Sequence, residues 1–400
     1  MRRGRAWSSR SGLAVAWVLL GVGSPFEALA APRRTTVFLD FGGGPVGPGD
    51  DASLGQATCV GSEFLFPIFL GSERAADVAR DEAQRLVAPY GVRVVTQRPP
   101  PHLPYTHVRV GGAPEDLTLD SKLNGLACQV DCDDRSPRDT VFTFADKWLD
   151  TAALTELDEY ERAVQVGRIS IHEAAHAWGL EHAGASESLM ARFPSAGQPQ
   201  FVVGCQPQDL DGESECPEVR TRYCPAGQQD ADAELRALFG DGVPDTVAPT
   251  ARIRWPPDGH VVEPGATVTV EVEVADDYEG FGWLLEVPQL DWQHIARDVE
   301  QTEVSLVVPA GRWTLRLEAI DHDRNIGEAV VNLEARSPEE VPVDEPLAPQ
   351  SECACRSHGT AATSWLCLWL WLVVGAGRRR PVSAPAPAPG SPARTSGTGH

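Results

Sequence analysis

The chain has 400 residues, of which 42% are hydrophobic and 23% charged, a composition that excludes wholesale disorder. At about 150 residues per domain, this length predicts two or three folded units. The formal net charge is -23. Because an acidic body repels the phosphates of nucleic acids, this charge argues against a nucleic-acid partner and suits an extracellular domain.

The N-terminus has the three parts of a secretory signal peptide. Four arginines within the first ten residues precede a short apolar run at residues 13–22, and Ala28-Leu29-Ala30 supplies the small residues that a signal peptidase needs. We therefore expect residues 1–30 to be a signal peptide that is cleaved after Ala30, and the remaining chain to be exported. A cytoplasmic N-terminal helix is the alternative.

Residues 31–245 carry strand and helix patterns in an order that is typical of an α+β domain. Short β-branched and apolar runs predict strands at Thr36–Phe41, Val92–Thr96, His107–Val110 and Thr140–Phe144. Apolar residues at three- and four-residue spacing predict helices at Ser72–Tyr90, Leu154–Gly179 and Asp230–Phe239. Most of residues 183–230 is predicted to be irregular. This order does not indicate a repeating βαβ array.

Six of the nine cysteines lie before residue 230: Cys59, Cys128, Cys132, Cys205, Cys216 and Cys224. An even number of cysteines in an exported chain predicts disulfide bonds. Six cysteines permit 15 pairings, and the sequence does not choose among them. A second zinc site built from the last three cysteines is the alternative.

Residues 171–182 (IHEAAHAWGLEH) carry the pattern that decides the chemistry. His172 and His176 are four residues apart on a predicted helix, so both rings lie on one face and can bind the same metal ion. Gly179 can take a left-handed turn that ends the helix, and the returning chain brings His182 as a third ligand. Three protein ligands leave a fourth position for water, as in catalytic Zn²⁺ sites. Glu173 is placed to take a proton from that water.

This motif is followed after eight residues by Met190, and the combination resembles the signature of the metzincin zinc endopeptidases. The resemblance extends over residues 36–243 and is specific around residues 172–190. It implies an α+β metzincin-like catalytic domain over residues 31–245. By this resemblance the zinc ligands are His172, His176 and His182, the general base is Glu173, and the apolar floor under the metal is Met190.

From residue 246 the pattern changes to short alternating strands. Seven strands at a spacing of about 8–12 residues are typical of an immunoglobulin-like β-sandwich. The predicted strands are Thr250–Trp255, His260–Val262, Thr267–Val274, Trp283–Val287, Glu303–Val308, Trp313–Ala319 and Val330–Glu334. Residues 246–336 are thus predicted to be an all-β domain that resembles bacterial surface Ig-like domains. Four aspartates in its turns are either solvated or calcium ligands: Asp276, Asp277, Asp321 and Asp323.

The C-terminal part predicts a spacer and an anchor. Residues 337–350 are acidic and Pro-rich, which indicates a stiff, extended spacer. Residues 351–380 contain Cys353 and Cys355, an apolar run at 361–377 that includes Cys367, and three consecutive arginines. This segment resembles the sorting tails of myxobacterial surface proteins and implies attachment at the membrane; a plain single-span anchor is the alternative. Residues 381–400 are Pro/Ala/Ser-rich low complexity.

Together these features predict an exported, surface-attached zinc endopeptidase at the cell envelope or outer surface, or released from it. Its partners would be protein or peptide substrates and, through the C-terminal segment, the membrane; the oligomeric state stays open. Thr140–Phe144 is the predicted edge strand for aligning a peptide by β-augmentation. The alternatives are a catalytically idle zinc-binding surface adhesin and a zinc amidase acting on cell-wall peptides.

Overall fold

A computed structural model describes residues 32–119, 122–146, 157–192, 197–210, 213–296 and 301–337. All of them fall in one of the two units of the chain, residues 1–339. The predicted signal peptide, residues 338–350 of the spacer, the sorting tail and the low-complexity tail lie outside the described residues. Among the helices that are described, none is both long and apolar enough to cross a membrane.

The first part of the chain contains ten strands and four α-helices among its described residues. The strands are β1 (Thr35–Asp40), β2 (Gly44–Pro48), β3 (Gln56–Ala57), β4 (Phe64–Phe66), β5 (Val92–Val95), β6 (Thr106–Gly111), β7 (Gly125–Ala127), β8 (Thr140–Phe144), β9 (Gln206–Pro207) and β10 (Gln228–Gln229). The helices are α1 (Glu73–Val87), α2 (Glu159–Ala177), α3 (Pro217–Tyr223) and α4 (Ala231–Phe239).

The main sheet of this part has the order β5-β1-β6-β8-β7. Its first four strands run parallel, and β7 is antiparallel to β8. Strands β2, β3 and β4 form a small separate sheet, and β9 pairs with β10. Because β8 is paired on both sides, the prediction that Thr140–Phe144 is an edge strand is wrong. Within the described residues, β7 occupies that edge.

Helices α1 and α2 pack against each other and contribute to one hydrophobic core with the main sheet. Each helix begins at a side-chain cap. The Ser72 hydroxyl accepts a hydrogen bond from the Ala75 amide at the start of α1, and Asp158 forms a capping box with Glu161 at the start of α2. At Gly167 a Cβ atom would lie 2.4 Å from the Ala79 carbonyl oxygen, so this glycine lets the two helices approach closely.

The second part of the chain forms a two-sheet β-sandwich. Its strands are β11 (Thr250–Trp255), β12 (His260–Val262), β13 (Thr267–Ala275), β14 (Gly282–Val287), β15 (Trp292–Ile295), β16 (Glu303–Val307), β17 (Gly311–Ile320) and β18 (Ile326–Ala335). The sheets have the orders β11-β13-β16 and β12-β18-β17-β14-β15, and residues of both contribute to one core. The seven predicted strands lie within or next to these bounds, whereas β15 was not predicted.

The predicted fold class is wrong in its first part, the α+β metzincin-like domain, whereas the all-β sandwich predicted to follow it is present as two sheets around one core. The described residues are mostly β, with 18 strands and only four α-helices. Several strands escaped prediction because they have two to five residues and lie in Gly- and Pro-rich chain, where no alternation is visible. The main sheet is also mixed and largely parallel. The order of strands and helices along the chain does not reveal which strands pair or in which direction.

Three disulfides confirm that the six cysteines before residue 230 are paired. The bonds are Cys59–Cys128, Cys132–Cys216 and Cys205–Cys224. The last two hold the ends of α3, since Cys216 precedes the helix and Cys224 follows it. The prediction of irregular chain was wrong at this point, because α3 has only seven residues and depends on these crosslinks rather than on an apolar repeat.

Candidate metal centre

Three histidines converge at the C-terminal end of α2. His172 and His176 lie one turn apart on this helix, and His182 returns to them after the helix has ended. The Nε2 atom of His176 lies 3.1 Å from Nε2 of His172 and 3.3 Å from Nε2 of His182. Suitable ligand atoms of all three residues lie within 4.8 Å of one another. The sequence therefore predicted the right three side chains to be brought together.

Backbone carbonyls fix the orientation of two of these rings. The Nδ1 atom of His172 lies 2.7 Å from the Leu189 carbonyl oxygen, and Nδ1 of His176 lies 2.7 Å from that of Leu180. A carbonyl can only accept, so each Nδ1 carries the proton and donates it. The Nε2 atoms are therefore left with lone pairs that are available to a metal ion. The two carbonyls fix both the tautomer and the orientation of their rings, as hydrogen-bond partners of metal-binding histidines commonly do.

The protonation state of the rings also suits a metal. Burial lowers the pKa of His172 to about 4 and holds the pKa of His176 well below its usual value. Both imidazoles are therefore neutral at pH 7 and have no proton to lose before binding an ion. Three imidazole nitrogens fit a transition-metal ion of the zinc type and are poor ligands for calcium or magnesium.

Gly179 makes the return of His182 possible. Its φ of +100° is a conformation that side chains with a Cβ rarely adopt. The Gly179 amide donates to the His176 carbonyl and the Leu180 amide to the Ala175 carbonyl, which is the pattern of a Schellman C-cap. A Cβ here would also lie 2.7 Å from the carbonyl oxygen of Asp131. Both the turn and its surroundings therefore require glycine.

The turn around Met190 lies against the same site. Ser188 to Ala191 form a turn closed by the Ala191 amide and the Ser188 carbonyl, and it presents the Leu189 carbonyl to His172. Met190 is completely buried in the main core cluster, and its carbonyl accepts from the amide of Ala183, next to His182. Its role as the floor beneath a metal ion stays a prediction.

Glu173 is buried on α2 between the two helical histidines, with 8% of its surface exposed. Its carboxylate accepts a hydrogen bond from the backbone of Ala127 in β7, and burial, the larger effect, raises its pKa to about 8. Gly125 lies two residues before Ala127 in β7, and a Cβ atom at this position would lie 2.5 Å from the Glu173 side chain. Gly125 therefore leaves the space that the carboxylate occupies, a role that the sequence did not indicate.

A buried polar network supports the segment between α2 and His182. Arg220 of α3 donates to the Gly179 carbonyl, to Glu234 and, at 3.4 Å, to Glu181. Gln229 bonds both the amide (2.9 Å) and the carbonyl (3.0 Å) of Glu181. These residues come from three separate elements, and nothing in their local sequence distinguishes them from surface residues, so sequence reasoning missed them.

Comparisons with known proteins give no family assignment. No protein-family model matches the chain, and no curated protein matches it. Among solved structures, the fibronectin(III)-like modules of Clostridium thermocellum CbhA are 14% identical, with 28% of this chain and 53% of that chain covered and a TM-score of 0.21.

Two further solved structures are mannanases. The Thermotoga petrophila endo-β-1,4-mannanase is 12% identical, with 58% of this chain and 48% of that chain covered and a TM-score of 0.20. The modular Cellulomonas fimi endo-β-1,4-mannanase is 15% identical, with 57% and 53% covered and a TM-score of 0.17. This chain spans about half the length of each structure. TM-scores this low carry no argument about fold or function.

Proposed function

We propose that this chain is an exported zinc-dependent endopeptidase. The observation that carries the proposal is the convergence of three imidazole Nε2 atoms at the C-terminal end of α2, the helix that also carries the buried Glu173. Three nitrogen ligands leave coordination positions open, as catalytic rather than structural zinc sites do. The extended histidine motif with its following methionine is the sequence feature that resembles the metzincin endopeptidases.

In the proposed reaction, His172, His176 and His182 hold the metal ion. Zinc, when bound, supplies a Lewis acid that polarises the peptide carbonyl and makes water more acidic. Burial favours the protonated form of Glu173, and the positive charge of a bound ion would oppose that effect. The ionised carboxylate would then take a proton from the attacking water and deliver it to the leaving amine. The Leu189 carbonyl, which accepts from Nδ1 of His172, keeps that ring in the ligating orientation.

Strand β7 is the proposed site of substrate alignment. Among the residues that the structure describes, it is the edge strand of the main sheet, and the backbone of Ala127 donates a hydrogen bond to the Glu173 side chain. An extended peptide that adds to this edge would run beside the proposed general base. This arrangement favours hydrolysis of an extended polypeptide, whereas Thr140–Phe144 is unavailable because both of its sides are paired.

Metal analysis tests the first step of the proposal. The purified full chain should contain one zinc ion, because three imidazole ligand atoms lie within 4.8 Å of one another. His176→Ala should lose both zinc and casein cleavage. A chain without zinc after refolding in zinc-containing buffer would refute the metal assignment.

A second experiment separates zinc binding from chemistry. Glu173→Ala should retain zinc and lose about 10²–10⁴-fold of the activity, the usual contribution of a general base. Glu218→Ala, at an exposed position of α3, is the matched control and should cleave like the wild type. Casein and peptidoglycan are digested side by side. Cleavage of peptidoglycan alone would favour the amidase, and no cleavage by the zinc-loaded wild type would favour the idle adhesin.

The location of the protein is part of the proposal. Three disulfides support an oxidising compartment outside the cytoplasm, and the C-terminal tail is proposed to hold the protein at the cell envelope. A chain truncated after Pro349 should then appear in the medium as active enzyme. Full-length protein that is freely soluble in the medium with its tail intact would contradict the anchoring.

A further inference from the structure

Three aspartates from distant parts of the chain meet beside the β-sandwich. Asp245 precedes β11, Asp276 follows β13 and Asp321 follows β17. One carboxylate oxygen from each lies within 4.8 Å of the other two. Asp321 is 3% exposed, so it is not the solvated turn residue that the sequence suggested as one alternative, and Asp245 is 8% exposed. Asp276 is half-buried as a residue, but both of its carboxylate oxygens are buried.

Several oxygens of this cluster are buried without a hydrogen-bond donor. The Oδ2 atom of Asp245 is in this state, and so are both side-chain oxygens of Asp276, to which the Asp277 amide makes only a contact weaker than a regular hydrogen bond. The Oδ1 atom of Asp245 accepts from the amide of Val247, and both oxygens of Asp321 accept from Asn325. A buried carboxylate oxygen without a donor is costly, and the cost is removed when a cation binds there.

The concentration of negative charge in the cluster also favours a bound cation. Burial raises the pKa of Asp276 to about 7, and its neighbours Asp321, Asp277 and Asp245 raise it further. Burial likewise raises the pKa of Asp321. The nearby Arg34 is engaged elsewhere, with Asp323 at 2.8 Å and with the stacked ring of Tyr278.

We propose that Asp245, Asp276 and Asp321 form a calcium site. Carboxylate oxygens are the ligands that calcium prefers, and its six to eight flexible coordination positions tolerate carboxylates from three separate segments. The absence of nitrogen and sulfur donors in this trio argues against zinc. A bound ion would tie the segment before β11 to two turns of the sandwich.

A second acidic cluster makes the choice of site testable. Asp131, Asp134 and Asp139 also have carboxylate oxygens within 4.8 Å of one another. Both side-chain oxygens of Asp134 and the Oδ2 atom of Asp139 are likewise buried without a hydrogen bond, so the difference lies in the charge. In that cluster the Nη1 atom of Arg33 lies 3.6 Å from Oδ2 of Asp134, and part of the negative charge is already balanced. We therefore assign calcium to the cluster around Asp276.

Calcium is titrated calorimetrically into the zinc-loaded full chain, and thermal unfolding is followed with and without calcium. The wild type should bind calcium, with a Kd no weaker than the range of about 10⁻⁴–10⁻³ M of extracellular modules, and should unfold at a higher temperature when calcium is present. Asp276→Asn should weaken binding by about tenfold or more, since affinity follows the charge of the ligands. Glu263→Gln, which removes one negative charge at an exposed position after β12 and outside the cluster, is the matched control and should bind like the wild type.

Without calcium, Asp276→Asn should unfold at or above the wild-type temperature, because the variant removes a charge that its neighbours repel. Asp245→Asn serves as a second variant if Asp276→Asn does not fold. The proposal is overturned if the wild type shows no binding at about 10 mM calcium, well above the weakest expected Kd. It is also overturned if the folded cluster variants bind normally, or if only Asp134→Asn abolishes binding. None of these outcomes depends on peptidase activity.

Discussion

Gly179→Ala tests the reasoning that joins the helix to the third histidine. The substitution adds a single methyl group at the residue where α2 gives way to the segment that presents His182. Two separate costs are expected, because the backbone at Gly179 has a φ of +100° and the new Cβ would lie 2.7 Å from the Asp131 carbonyl oxygen. The Cys132–Cys216 disulfide holds the Asp131 segment in place, so the clash cannot be relieved by moving a flexible side chain.

The two costs are of similar size and add. A residue with a Cβ in such a backbone conformation costs about 1–3 kcal/mol. Steric overlap with a fixed backbone atom adds about 1–3 kcal/mol, the usual cost of overpacking. The free energy of unfolding of Gly179→Ala should therefore fall by about 2–6 kcal/mol. Zinc binding should weaken as well, because His182 follows the displaced turn.

Gly204→Ala isolates the conformational cost. Gly204 has a φ of +90°, close to that of Gly179, but a Cβ there would meet no atom within 4 Å. Denaturation in urea of both zinc-loaded variants, together with zinc titrations, gives the comparison. Gly204→Ala should lose only about 1–3 kcal/mol and keep its zinc affinity. Equal destabilisation of the two variants, or unchanged zinc affinity in Gly179→Ala, would refute the reasoning.

Three other predictions concern groups around the site. Gly125→Ala should displace the Glu173 carboxylate and reduce peptide cleavage by about tenfold or more while zinc content stays normal, and a wild-type rate would contradict the role of this glycine. Arg220→Met should lower the free energy of unfolding by about 3–5 kcal/mol, since it removes the cation that pairs with the buried carboxylates of Glu234 and Glu181. The same change at the exposed Arg222 should cost far less in a urea titration. Burial raises the pKa of Asp134 to about 8, against about 3.9 in the unfolded chain. The folded state therefore binds this proton more tightly than the unfolded state. The stability that proton binding contributes is lost as the pH rises from about 4 to 8. Unfolding measured in calcium-free buffer should therefore show the wild type losing stability relative to Asp134→Asn between pH 5 and pH 8, by up to about 1.4 kcal/mol per pH unit, and parallel curves would contradict the prediction.

The sequence alone determined the parts of the site that follow from local geometry. Two histidines four residues apart on a helix share one face whatever the rest of the fold does, and a glycine three residues later is needed for the chain to turn back. The spacing of apolar residues in the sequence also located most strands and helices, because the direction in which successive side chains point is a local property of the backbone. For these reasons His172, His176 and His182 were predicted together, as was the buried Glu173.

Tertiary structure decided everything that depends on which distant segments meet. The parallel pairing of the main sheet, the edge position of β7 and the mostly β character of the chain overturned the predicted fold class, since strand order leaves no mark on a single segment. The disulfide pairing, the space for Glu173 beside Gly125 and the contact of Arg220 with the Gly179 carbonyl are likewise products of packing. Each joins residues dozens of positions apart, and a local pattern carries no information about such a contact.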